Sequence, residues 1–263
     1  MTRLMVVLTA LLALLFSAAL VLGPADIGPV ESLRALVVDD GGALTLVMRE
    51  IRLPRAILAV LIGASLGMAG AAMQGYLRNP LADPGLIGVS GSAAFGAVLS
   101  IQTGVAATVA FALPLSALTG ALVGVFLVLA LALGGVLLAS LARGLDALTL
   151  GEDAAEAMGI RLKRLRLTLV FGTAAVVGAS TAVAGAIGFI GLVVPHIVRP
   201  FVGAKPGQLL WASALGGAIM LLVADIGVRV VLPGRDLKLG VLTALVGAPL
   251  FLHLIYKTRK EGL

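Results

Sequence analysis

The chain has 263 residues, 60% of them hydrophobic and 12% charged, with 19 Lys and Arg against 13 Asp and Glu. That balance excludes a soluble globular enzyme and leaves an integral helical membrane protein, because several apolar runs approach the roughly 20 residues that span a bilayer. The net charge of +6 calls for no nucleic acid, since basic residues beside spans serve topology and anionic lipid, and the zero count of Cys excludes disulfides and thiolate metal sites.

In chain order, residues 4–22 are apolar behind Arg3 and read as a first span, or as a signal peptide with Ser17-Ala18-Ala19 after a short apolar core. Residues 24–50, with Asp26, Glu31, Asp39 and Asp40, read as an extracytoplasmic loop. Arg52-Leu53-Pro54-Arg55 lies at the start of a second span that runs to Leu77. Arg78-Asn79-Pro80 ends it, because proline disfavours helix in the residue before it. Pro84-Gly85 breaks the backbone again before a Gly/Ser/Ala-rich third span over 86–101. Residues 106–142 hold no charge. As one helix they would be about 55 Å long, far more than one crossing needs.

Residues 143–166 form the one long charged segment between apolar spans. Glu152 and Asp153 follow Gly151 and suit the electropositive first turn of a short helix. Ala154, Ala155, Ala157 and Met158 give it a small apolar surface, and Gly159 can stop it. Arg161, Lys163, Arg164 and Arg166 then crowd against the next apolar run, the mark of a cytoplasmic side. The segment is either a solvated loop or a docking helix for a cytoplasmic partner. Spans over 167–184, 187–198 (short, interrupted by Pro195), 209–228 and 239–256 complete a single all-α polytopic membrane domain, 1–263, of about eight spans.

Gly63-Ala64-Ser65 and Ala69-Gly70-Ala71 recur 115 positions later as Gly178-Ala179-Ser180 and Ala184-Gly185-Ala186. By span count the two copies cross in opposite directions, the inverted repeat typical of transporters. With 106–142 as one crossing, both termini lie in the cytoplasm, and the 19 basic residues divide 12 inside to 7 outside. Dividing that run at Gly134-Gly135 would put the basic loop on the wrong side.

No catalytic constellation or metal-ligand set stands in the chain. His196 and His253 lie in different spans without a partner nearby in sequence, and no phosphate-cradling GxxxxGK[ST] occurs. Asp225 is an intramembrane acid whose nearest explanation is an ion pair with Arg229 at i+4. Arg52, Arg55 and Arg229 place positive charge on the outer side, against the topological bias. Either they snorkel to headgroups, or they receive the carboxylates of a soluble partner.

The stretches RLPRAILAVLIGASLGMAGAAMQGYLRNPLADPGLIGVSGSAAFG, LTLGEDAAEAMGI, AGAIGFIGLVVPHIVR and LLVADIGVR followed by GVLTALVGAP closely resemble the permease subunit of bacterial ABC importers for iron–siderophores, haem and vitamin B12. The resemblance implies a homodimer in the inner membrane, about ten spans per subunit, two ABC ATPase subunits below and a periplasmic or lipid-anchored solute-binding protein above. It makes residues 150–159 the coupling helix, with Leu150, Gly151, Glu152, Ala154, Ala155, Met158 and Gly159 toward the ATPase. It maps binding-protein docking onto Arg52, Arg55 and Arg229, and it implies neither cofactor nor catalysis by this chain. Iron chelate is the expected substrate, with vitamin B12 as the alternative. Two departures stand out: Asp236-Leu237-Lys238 where the family more often has Glu-Leu-Pro, and roughly 60 residues missing before the LGE loop. The missing residues hold the family's fifth span and much of its sixth, so a transport-incompetent scaffold is the rival reading. The fused run is expected to tilt strongly or to project past the bilayer.

Overall fold

The computed structural model describes residues 2–23, 28–38, 41–83, 112–203, 205–231, 240–241, 243–245 and 247–249, with the backbone alone over 112–125 and at 231. The third span expected over 86–101 and most of the last span expected over 239–256 lie outside the described residues, as does His253. All regular structure among the described residues is helical.

The elements are α1 (Thr2–Val21), α2 (Pro29–Val37), α3 (Ala43–Leu46), a π-helical segment (Val47–Arg52) and α4 (Leu53–Leu77). After residue 111 come α5 (Ala112–Ser140), α6 (Ala142–Leu148), α7 (Glu152–Ala157), α8 (Leu162–Ala184), α9 (Ile190–Val202) and α10 (Pro206–Val231). Five helical stretches among the described residues are long and apolar enough to cross a bilayer, and Ile190–Val202 is a shorter apolar helix. The loop expected over 24–50 is partly helical, for α2 and α3 lie within it, and the second span starts at Ala43 rather than Ile51. Pro54 sits in the first turn of α4 directly after the π segment. A proline there offers no N–H and crowds the carbonyl four residues back, and the wider π turn is where an α turn would meet that conflict.

The core is built around α4, which packs against α10, α9, α5 and α8. Small residues make this possible. A Cβ on Gly63 would overlap the Gly217 carbonyl of α10, one on Gly67 the Ser213 carbonyl, and one on Gly70 the Gly191 carbonyl of α9. Close backbone approach of this kind is the usual way membrane helices associate, because lipid offers no hydrophobic drive between them. The Gly/Ala/Ser content of the repeated stretch is thus used on its first copy as a packing face. On the second copy the pattern diverges: α8 ends at Ala184, and Gly185 caps it at φ 79°. Ser65 and Ser180, the matched serines, are both buried.

The uncharged run 106–142 enters the described structure as one unbroken helix from Ala112 to Ser140. Its 29 residues measure about 44 Å, well beyond the ~30 Å apolar core of a bilayer. Leu141 makes a tight turn, its N–H bonding to Leu138 O at 3.1 Å, and α6 continues. Leu131, Gly134, Leu138, Leu141, Leu145 and Leu148 are buried, at alternating spacings of three and four, a narrow seam against α8 and α4.

Candidate functional site

The charged segment folds as α7 held between two glycines. Gly151, at φ 115°, is the residue before the helix, and Glu152 and Asp153 occupy its electropositive first turn. At the other end Gly159 stands at φ 83°. Its N–H bonds to Glu156 O at 2.8 Å, and the Ile160 N–H bonds to Ala155 O at 3.0 Å. Those two bonds make a Schellman stop, so the glycine at that position ends the helix by geometry.

The side chains divide by face. Ala155 is fully buried in the cluster that holds Leu148 and Leu165, and Ala154 is half-buried. Leu150 is 71% exposed and Met158 54% exposed, with Glu152, Asp153, Glu156 and Ala157 also outward. The apolar surface expected from Ala154 and Ala155 therefore anchors the segment to its own bundle, and the outward apolar pair is Leu150 and Met158. Arg78 reinforces the anchor by donating to Leu148 O. Asp146 of α6 accepts from the Gly207 N–H at 2.8 Å, which ties the start of α10 to the same end of the molecule.

At the opposite end of α4 the three arginines converge on one buried acid and one helix terminus. Asp225 is fully buried; Arg55 Nε reaches its Oδ1 at 2.7 Å, and Arg229 Nη2 donates to its Oδ2. The i+4 pair is present as expected, and Arg55 joins it from 170 positions away in sequence. Arg52 Nη1 donates to Leu20 O at 3.0 Å and Val21 O at 2.8 Å, and Arg229 Nη1 to Ala19 O at 2.9 Å and Leu22 O at 3.1 Å. These are the carbonyls that the end of α1 leaves without helical partners, where positive charge also suits the helix dipole. Arg52 is 5% exposed and Arg229 half-buried, so internal bonds occupy both, and Arg55 is the one whose side chain stays 46% exposed.

One group escaped the sequence reading. Gln74 of α4 is buried, and its Nε2 donates to Gly191 O at 3.4 Å and Leu192 O at 3.2 Å. Pro195 lies inside α9 and has no N–H for the carbonyl of Gly191, four residues back. Gln74 supplies that missing donor from a neighbouring helix, which is how proline is accommodated where no water can help. The usable signal was a lone glutamine one helical turn beyond Gly70, the residue that touches Gly191.

Comparison with known proteins accounts for nearly the whole length. The FecCD transport family model matches residues 11–136 and 129–257, two stretches that meet within α5. The haemin transport system permease of Yersinia pestis is 33% identical over 314 aligned positions, covering 92% of this chain and 93% of that protein. An Fe(3+)-citrate import system permease of Bacillus subtilis is 33% identical over 320 positions, covering 98% of this chain and 96% of its own. A vitamin B12 import system permease of Salmonella typhi is 34% identical over 273 positions, with 80% and 84% covered. An alignment of 320 positions drawn from a 263-residue chain contains about 60 positions that this chain lacks. Among solved structures, an inward-facing metal-chelate type ABC transporter superposes with a TM-score of 0.74 at 27% identity, over 98% of this chain and 100% of that one. The chain belongs to the FecCD transport family of ABC importer permeases.

Proposed function

We propose that this chain is the membrane subunit of an importer that moves an iron chelate, a siderophore or haem, inward across the inner membrane, powered by a separate ATPase. The observation that supports this most is the short helix α7, flanked by two glycines and anchored to the bundle through Ala155, with Leu150 and Met158 exposed. A capped, anchored helix with an unpartnered apolar pair is suited to a groove on a second protein. Permeases for Fe(3+)-citrate, haemin and vitamin B12 are similar to this chain at 33–34% identity, so vitamin B12 stands beside the iron chelate as the alternative substrate. The whole chain acts as one transmembrane domain, pairs with a second copy, and performs no catalysis itself. Proteoliposomes holding the chain with its ATPase and binding protein should take up radioactive iron as the siderophore or haem complex. Uptake of labelled cobalamin in preference to both iron complexes would replace the substrate assignment.

The face of α7 sets the partner test. Leu150→Glu with Met158→Glu removes two exposed apolar contacts worth roughly 1.5–3 kcal/mol each when fully buried. ATPase association measured by pull-down should weaken at least ten-fold while the chain itself stays folded. Ala155→Arg is a contrasting variant: because Ala155 is fully buried against its own bundle, it should lower thermal stability as well. An unchanged pull-down of the glutamate pair would remove α7 from the coupling role.

On the outer side we assign binding-protein docking chiefly to Arg55, the exposed member of the trio, with Arg52 and Arg229 holding the surface that presents it. Both termini are assigned to the cytoplasm from the 12-to-7 division of basic residues. Reporter fusions at Leu263 and within residues 24–50 should report opposite sides, and the same side for both would reject this topology. A second reading, a membrane scaffold that assembles without transporting, is favoured by the roughly 60 positions missing relative to importing relatives.

A further inference from the structure

A cleft of about 290 Å³ opens at the α7 end of the bundle, between the end of α4, the end of α9 and the start of α10. Arg78, Arg199, Lys205, Gln74, Thr149 and Gly203 line it, and no carboxylate is among its described lining residues. Arg199 is held in place by Gln74, whose Oε1 accepts from Arg199 Nη2 at 2.7 Å. Its Nε is buried and has no hydrogen-bond partner among the described residues. Gln74 is itself fixed by the two α9 carbonyls. Asp146, beside the start of α10, is engaged by the Gly207 N–H. Three cations thus converge on a space at the small end of ligand pockets.

We propose that this cleft binds one phosphate-type oxyanion, with Arg199 and Arg78 as guanidinium donors and Lys205 as the mobile cation at its rim. The guanidinium fork matches phosphate oxygens in pairs, and a lysine completes the neutralisation as a point charge. The place also suits the ligand. Basic pockets between spans near the bilayer surface hold anionic headgroups, and the long apolar helices α4 and α10 bring the cleft to the end of their spans. A free phosphate and a phospholipid headgroup offer the same oxyanion. Occupancy would bear on α7 directly, because Thr149 lies beside Leu150 and Arg78 also holds Leu148 O. The proposal does not depend on transport or on the substrate.

The test uses the full chain purified in detergent, with native mass spectrometry for retained lipid and thermal unfolding for ligand response. Titration with phosphatidylglycerol, or with inorganic phosphate, should saturate at one equivalent per chain and raise the unfolding temperature. Saturation by the lipid alone assigns the site to a headgroup, and saturation by inorganic phosphate assigns it to the free anion; both support the site. Lys205→Glu should weaken binding at least ten-fold without loss of folding, because the exposed Lys205 side chain makes no hydrogen bond or ion pair among the described residues. Arg78→Gln is the second variant and should weaken binding similarly. Arg161→Glu reverses an exposed charge outside the cleft and should leave it unchanged. Equal losses for Lys205→Glu and Arg161→Glu, or no saturable binding of either probe, would overturn the proposal.

Discussion

Replacing Asp225 by leucine is expected to lower the unfolding free energy of the detergent-purified chain by about 3–5 kcal/mol, the range for removing one partner of a buried ion pair. Asp225 is fully buried and bonds two guanidinium groups, those of Arg55 and Arg229. Its loss leaves both cations facing an apolar side chain. The damage should spread, because Arg229 also bonds two carbonyls at the end of α1. Once it swings away from Asp225 toward water, the junction between α1 and α10 loosens. Early proteolytic cutting between α1 and α2 would report this. A double-mutant cycle of Asp225→Ala with Arg229→Ala should give a coupling above about 1 kcal/mol, since residues in one ion network are not additive. A loss under about 1 kcal/mol for Asp225→Leu would mean that water already reaches the pair and that the cluster is not a structural tie.

The sequence made parts of this cluster legible and hid others. Asp225 and Arg229 are four apart on an apolar helix, so their pairing follows from helical geometry alone. Arg52 is different. Its partners, Leu20 and Val21, lie 32 and 31 residues earlier, and nothing local to either segment announces that the end of α1 will be capped by a side chain from another element. Charge patterning therefore left the three outer arginines between headgroup snorkelling and a soluble partner, and only the fold shows that Arg52 and Arg229 also bond helix carbonyls. The same limit applied to α7. Its boundaries could be read, because two glycines and two acids specify a start and a stop, but its orientation could not. Alanines at 154 and 155 fit either a partner's groove or the chain's own core. Burial of Ala155 settles that face toward the bundle. The long uncharged run was legible as a single crossing from the charge balance, because dividing it at Gly134-Gly135 would put the basic loop on the wrong side, and that pair is helical within Ala112–Ser140, with Gly134 packed against α8 near Gly172 and Val176.

Reinserting the missing segment of a transporting relative between Leu133 and Gly134 is expected to raise ATP-driven uptake in proteoliposomes at least ten-fold over the chain as it stands. The two family matches meet at residues 129–136, and the insertion point falls inside that overlap. A segment of about 60 residues is long enough for a crossing of roughly 20 residues and the return of a second. An outward and an inward pass would leave the direction of every later span unchanged, in keeping with the proposed topology and its 12-to-7 division of basic residues. Along α5 the buried positions form only a narrow seam, while Phe126, Leu129, Leu133, Val136 and Leu137 are exposed. At 29 residues α5 is longer than the apolar layer is thick, so it must tilt strongly or project past that layer before α6 and α7. With that segment absent, α7 is joined to the bundle through one over-long span, so ATP hydrolysis and passage of substrate should be only weakly coupled and uptake by the chain as it stands slow. The chimera must first match the native chain in monodispersity and thermal stability, so that a gain reflects the restored segment rather than better folding. Robust uptake by the chain without the insertion would show that the shortened permease is competent and that the fused helix suffices.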